Sequence, residues 1–218
     1  MRQINSSKLE ITAFILNLVI VMFETAGVVL SVLNHRLNVF QYYTENSNYF
    51  ALVVSTIYCI AFVVTKLGRK QLPTWVHNLR FISTSLLSVT FIVILFVLSP
   101  LYPKNFVKWM FLGSGLFQHT LCPIISIISF LLFENQSKLY KRAIWLTLIP
   151  TVVYGITCII LNLTKTIEGP YPFFYLYDLP LYFTLPSLAG VLLGATLISF
   201  IIYWLHNKRY TKLISKAL

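Results

Sequence analysis

The chain has 218 residues, of which 57% are apolar, 16% aromatic and only 11% charged. A soluble globular domain carries about 25% charge, so this composition excludes a water-facing enzyme, a disordered tail and a secreted disulfide scaffold. The net charge of +11 would suit nucleic acid in a soluble protein, but here the basic residues sit in short loops and tails between apolar runs. That placement orients a chain in a bilayer, and no nucleic acid partner is expected.

A hydrocarbon core of about 30 Å needs about 20 apolar residues per helix. Six runs meet that length, near 11–33, 46–65, 79–99, 110–133, 143–163 and 185–205. They predict an all-α, polytopic bundle of six transmembrane helices filling residues 1–218 as a single domain. The first run is already of spanning length, so it reads as a span and not as a cleaved signal peptide. No internal repeat supports a transporter pseudo-symmetry.

In the first span Glu24 is the only charged side chain, and seven-residue spacing puts Asn17, Glu24 and Ser31 on one helix face. A carboxylate at that depth is costly unless it is neutral, hydrated or paired, so this face is expected to point into the bundle. The alternative is a protonated Glu24 that only hydrogen-bonds a neighbouring helix. The second span opens with Tyr42-Tyr43-Thr44-Glu45-Asn46-Ser47-Asn48, and Thr44, Ser47, Asn48 and Ser55 share a face. This is an ordinary polar loop with a helix cap, or it offers a threonine hydroxyl as nucleophile.

The fourth span contains Gln118-His119-Thr120 followed by Pro123. Proline has no N–H for the carbonyl of residue 119, so a kink is expected beside the histidine. Cys122, Ser126 and Ser129 continue a weakly polar stripe, and Gly113 and Gly115 permit close approach of another helix. At 1.5 Å per residue, Glu24 and His119 each lie about 14–15 Å below the outer face, so the two are expected to meet. Cys59, Cys122 and Cys158 have no metal-type spacing and read as small core residues; neither metal nor cofactor is expected.

The longest connection, 164–184, carries Gly169-Pro170-Tyr171-Pro172, Pro180 and Asp178 and leads to Pro186. It reads as a rigid cover over the outer mouth, or as a plain connector with interfacial tyrosines. Gly190 and Gly194 in the sixth span have the spacing that lets helices approach closely. They are expected to pack against another span of the same monomer.

Arg2, Lys8, Lys66, Arg69, Lys70, Arg80, Lys138, Lys141, Arg142, Lys208, Arg209, Lys212 and Lys216 fall on one side of the predicted spans. Only Arg36, Lys104, Lys108 and Lys165 fall on the other. This asymmetry predicts a plasma-membrane protein with both termini in the cytoplasm.

The patches YYTENSN, QHTLCP and GPYPF, placed before span two, in span four and before span six, resemble a family of small bacterial six-helix membrane proteins. That family is distantly similar to the animal androgen-induced transmembrane hydrolases, which cleave fatty acid esters of hydroxy fatty acids. The resemblance implies a threonine nucleophile in the second span and a histidine base in the fourth, and Thr44 and His119 are the matching positions. The chain is then expected to be an intramembrane lipid-ester hydrolase acting on long-chain fatty acyl esters. From its depth, and not from the resemblance, Glu24 would hold the imidazole; Ser47 and Asn48 would support the site, and Glu24, Thr44 and His119 would face a common cavity open to the outer leaflet. Two other readings fit the same residues. One is a small transporter with Glu24 and His119 as a relay; the other is a non-catalytic lipid-binding protein. The inner halves of the spans offer only isolated Ser, Thr and Cys, which argues against a continuous relay.

Overall fold

The computed structural model describes residues 2–68, 70–177 and 179–215, with side chains for all of these except 2–7 and 35–37. Arg69, Asp178 and Lys216 therefore lie outside the described residues, as do the side chains of Arg2 and Arg36. Among the described residues there are helices and no strands. The elements are α1 (Arg2–His35), α2 (Tyr43–Leu67), α3 (Thr74–Leu101), a short α4 (Phe106–Phe111), α5 (Gly113–Leu132), α6 (Arg142–Leu163) and α7 (Leu181–Ser215). All but α4 contain a stretch long and apolar enough to cross a membrane, and the chain is a six-helix, multi-pass membrane protein.

α3 is the centre of the bundle. In its most apolar stretch 61% of residues are buried, against 17% in α6 and in α7, because it packs against α2, α5, α6 and α7 at once. The outer helices leave Ile15, Met22, Val53, Ile60, Trp145, Ile156, Leu193 and Leu197 exposed, an apolar girdle suited to lipid. The Glu10–Lys66 ion pair ties the start of α1 to the end of α2. Arg209 donates to the Leu132 carbonyl at 2.9 Å, bringing the end of α7 to the end of α5. Both termini thus lie at one end of the bundle, and the connections α1–α2, α3–α5 and α6–α7 lie at the far end.

Several boundaries differ from the sequence reading. α3 starts at Thr74, immediately after the extended Pro73, so Arg80 is inside the helix and not in a loop. α5 starts at Gly113 and not at 110, because Leu112 is extended and Gly113 adopts a left-handed φ of 55°. α7 begins at Leu181 and carries Pro186 inside it. A Cβ placed on Gly190 or Gly194 would meet nothing within 4 Å. The expected packing of that face against another span of the chain is therefore wrong: the two glycines lie on the open side of α7.

The end with the termini is held by a buried ion pair. Arg80 and Glu134 are each 0% exposed; Arg80 Nε donates to both carboxylate oxygens at 3.2 and 3.1 Å, and Nη2 to Oε1 at 3.0 Å. Arg80 also reaches Ser55 and Ser126, while Asn17 and Ser129 donate to Glu134 at 2.9 and 2.7 Å. His206 of α7 sits 3.2 Å from the Glu134 carbonyl and stacks with Phe130, as does His77. One carboxylate thereby joins α1, α3 and α5, with α2 and α7 one contact away. The expectation of only isolated small polar groups in this half is overturned.

Candidate active site

At the far end, Tyr42 is extended and α2 starts one residue later without a side-chain cap. Thr44 therefore lies in the first turn, where backbone N–H groups have no helical partner. Its side chain is 8% exposed, and Ser47, Asn48 and Ser55 on the same face are buried, as their spacing requires. Asn48 Nδ2 and Ser47 Oγ donate to the Thr44 carbonyl at 2.6 and 2.9 Å. Because the Ser47 proton is so used, Thr90 of α3 is the donor in the 2.7 Å Ser47–Thr90 contact. Ser47 and Asn48 thus fix the backbone of Thr44.

His119 lies in a π-helical turn, Leu116–Leu121, whose end is marked by the Cys122 N–H bonding to Phe117. Pro123 removes the donor for the carbonyl four residues back, and the helix widens to bridge the gap. The same device occurs in α3, where a π turn over Ile94–Leu98 precedes Pro100. Both widened turns line the same cavity, through Ile94, Leu98 and His119.

The partner of the His119 ring is a backbone carbonyl. Nδ1 lies 2.9 Å from Trp109 O, and since a carbonyl only accepts, Nδ1 carries the proton of the neutral ring. Nε2, left with the lone pair, is buried without a hydrogen-bond partner. Gly113 and Gly115 create this contact: the left-handed turn reverses the chain between α4 and α5, and a Cβ on Gly115 would overlap the Trp109 carbonyl. These glycines serve a tight turn of the chain on itself, and the same short segment also packs against α1, as expected of a close approach.

Glu24 does not hold the imidazole. It is 0% exposed, its carboxyl faces the Cys122 thiol and not the imidazole, and it does not line the cavity that His119 lines. The helix face was read correctly, since Asn17, Glu24 and Ser31 are all buried, but equal depth did not bring Glu24 to His119. The carboxylate at the site is Glu45, next in sequence to Thr44, which accepts from Ser31 Oγ at 2.8 Å and Gln118 Nε2 at 3.0 Å.

Two cavities meet at Thr44. The larger, about 690 Å³, is bordered by polar groups including Glu45, Asn105, Lys108, Ser114 and His119. The smaller, about 200 Å³, has apolar walls from α3, α6 and α7, among them Val89, Val93, Ile159 and Leu188. Thr44 and Tyr171 line both. The 164–180 connection folds onto this site: Tyr171 and Phe174 are 6% and 3% exposed and pack with Ile94, Leu98, Met110 and Cys158. It is a packed wall of the cavity. Tyr171, Glu45 and the Trp109 carbonyl were not singled out in the sequence. Glu45 stood inside the YYTENSN patch, read as a polar loop with a helix cap, and Tyr171 inside GPYPF, read as part of a cover or a connector with interfacial tyrosines.

Among the described residues no group of His, Cys, Asp or Glu could hold a metal ion. No family model, characterised protein or solved structure matches the chain.

Proposed function

We propose that the protein hydrolyses lipid esters within the membrane, with Thr44 as nucleophile and His119 as base. The observation that carries this reading is that both side chains line one cavity although they come from different helices, with the imidazole tautomer already fixed so that Nε2 is the basic nitrogen. Nucleophile and base are not hydrogen-bonded in this resting state, and such contacts commonly tighten only when substrate is bound. The apolar cavity suits a fatty acyl chain and the polar one suits water and the leaving alcohol. The resemblance of YYTENSN, QHTLCP and GPYPF to small bacterial six-helix membrane proteins, themselves distantly similar to the transmembrane threonine hydrolases, points the same way. Purified protein acting on a long-chain fatty acyl ester tests the proposal. Thr44→Ala and His119→Ala should each remove most turnover, and the double variant should be little worse than either, because the pair acts as a unit. Unchanged hydrolysis in both single variants would refute it.

The placement we infer is the plasma membrane, with both termini cytoplasmic and the site in the outer half, from the excess of Lys and Arg on the terminal side. Cysteines introduced at Lys104 and Thr166 should react with an impermeant thiol reagent on intact cells; labelling only after lysis would reverse the orientation.

A second reading, a proton-coupled carrier, draws support from the Arg80–Glu134 network, which makes the terminal half polar as well. It predicts proton flux in sealed vesicles that Thr44→Ala leaves intact, whereas the hydrolase predicts none.

A further inference from the structure

An acyl-transfer site needs, besides nucleophile and base, a donor at the point where the carbonyl oxygen gains charge. The sequence around Tyr171 is built to hold one group still. Between two prolines, residue 171 is confined to extended backbone, and it is found at φ −139° and ψ 156°. Gly169 has no room for a side chain, since a Cβ there would lie 2.6 Å from the Phe174 carbonyl carbon, and Phe174 N–H closes the turn on Tyr171 O at 2.8 Å. The Tyr171 ring stacks on Phe173 with centroids 5.2 Å apart and meets Tyr42 edge-on at 6.3 Å. Its hydroxyl ends at the nucleophile: it accepts from the Thr44 N–H at 3.3 Å and donates to Thr44 Oγ1 at 3.5 Å. It borders both cavities, where an ester spanning them would place its carbonyl.

We propose that Tyr171 is a catalytic residue, its hydroxyl forming with the Thr44 N–H the oxyanion-binding site of the reaction. This rests on the hydrolase reading. Thr44 Oγ1 bonds to the ester carbon while its proton passes to His119 Nε2, and the carbonyl π pair moves onto oxygen. That oxygen lies one carbon from Oγ1, within reach of a phenol already beside Oγ1, and the uncapped start of α2 adds a favourable dipole for negative charge. Collapse re-forms the carbonyl and breaks the bond to the alcohol oxygen, which leaves with the proton from His119. Water then attacks the acyl-threonine, gives its proton to His119, and the same donors hold the second oxyanion. Thr44 departs with that proton, releasing the free acid.

Burial pushes the Tyr171 phenol up to about 12, so it remains a donor at any ordinary pH. Glu45 of α2 and Cys158 of α6 face it, together with Tyr43 and Tyr154, and negative charge on any of them opposes its ionisation.

The test uses the purified full chain and p-nitrophenyl octanoate. Tyr171→Phe should lower kcat by about 10²–10³-fold, the usual cost of one oxyanion donor, with KM little changed. Because a packing role would also be sensitive to truncation, a second measurement replaces Tyr171 by a fluorinated tyrosine of lower phenol pKa. The donor is then lost as pH rises through that lower pKa, so kcat should gain a descending alkaline limb that the wild type lacks. Wild-type-like kcat in Tyr171→Phe alongside inactive Thr44→Ala, or a fluorinated protein without the new limb, would overturn the role of Tyr171 and leave the hydrolase reading standing. Absence of turnover in the wild type would overturn both.

Discussion

At the residue scale, the candidate site depends on backbone groups as much as on side chains. His119 is set by the Trp109 carbonyl, and that carbonyl is in place only because Gly115 has no Cβ. Gly115→Ala must push α4 away from α5 and carry the hydrogen bond with it. Misplacement of a catalytic group by about 1 Å costs about 10²-fold in rate, so kcat should fall by about that factor while the protein still folds; a variant with wild-type kcat would show that Trp109 does not orient the base. Helical spacing was enough to read Thr44, Ser47, Asn48, Asn17, Glu24 and Ser31 as inward-facing, because one face of an apolar helix has nowhere else to put polar groups. It was not enough to pair them. Which residue of one helix meets which residue of another depends on tilt, on the widened turns before Pro100 and Pro123, and on a loop fold that no periodicity encodes. Glu24 was therefore matched to the wrong partner, and Tyr171 to none.

At the element scale, the central helix α3 shows how a single boundary changes an interpretation. Beginning at Thr74 and not at residue 79, it turns Arg80 from an orienting charge into the hub of a buried network. Hydropathy alone places a span where the apolar run is densest, and a lone arginine near its edge looks like a flank. Removing one member of a buried ion pair strands the other charge and costs about 3–5 kcal/mol, whereas apolar replacement of both is often near neutral. Arg80→Met should accordingly lower the unfolding temperature in detergent steeply, and Arg80→Met with Glu134→Leu should recover much of the loss. Equal losses in the single and double variants would mean that Asn17, Ser55, Ser126 and Ser129, which also bond this pair, are not satisfied without it.

At the scale of the whole molecule, the two ends divide the work. The terminal end is closed by the Arg80–Glu134 junction and the His77–Phe130–His206 stack, while the far end holds both cavities, Thr44 and the folded 164–180 connection. Six spans and a polar interior were legible in composition and hydropathy, since both follow from what a bilayer excludes. The division itself was not, because it arises from contacts between residues more than a hundred positions apart, such as Thr44 with Tyr171 and Asn17 with Glu134. The central claim is that Thr44 forms the covalent intermediate. Its most direct test is mass spectrometry of the purified protein after reaction with a lipid-like fluorophosphonate, which arrests the first half of the reaction. The account predicts one adduct, on the peptide containing Thr44, lost in Thr44→Ala and strongly slowed in His119→Ala. An adduct on another residue, or equal labelling of the wild type and Thr44→Ala, would contradict it.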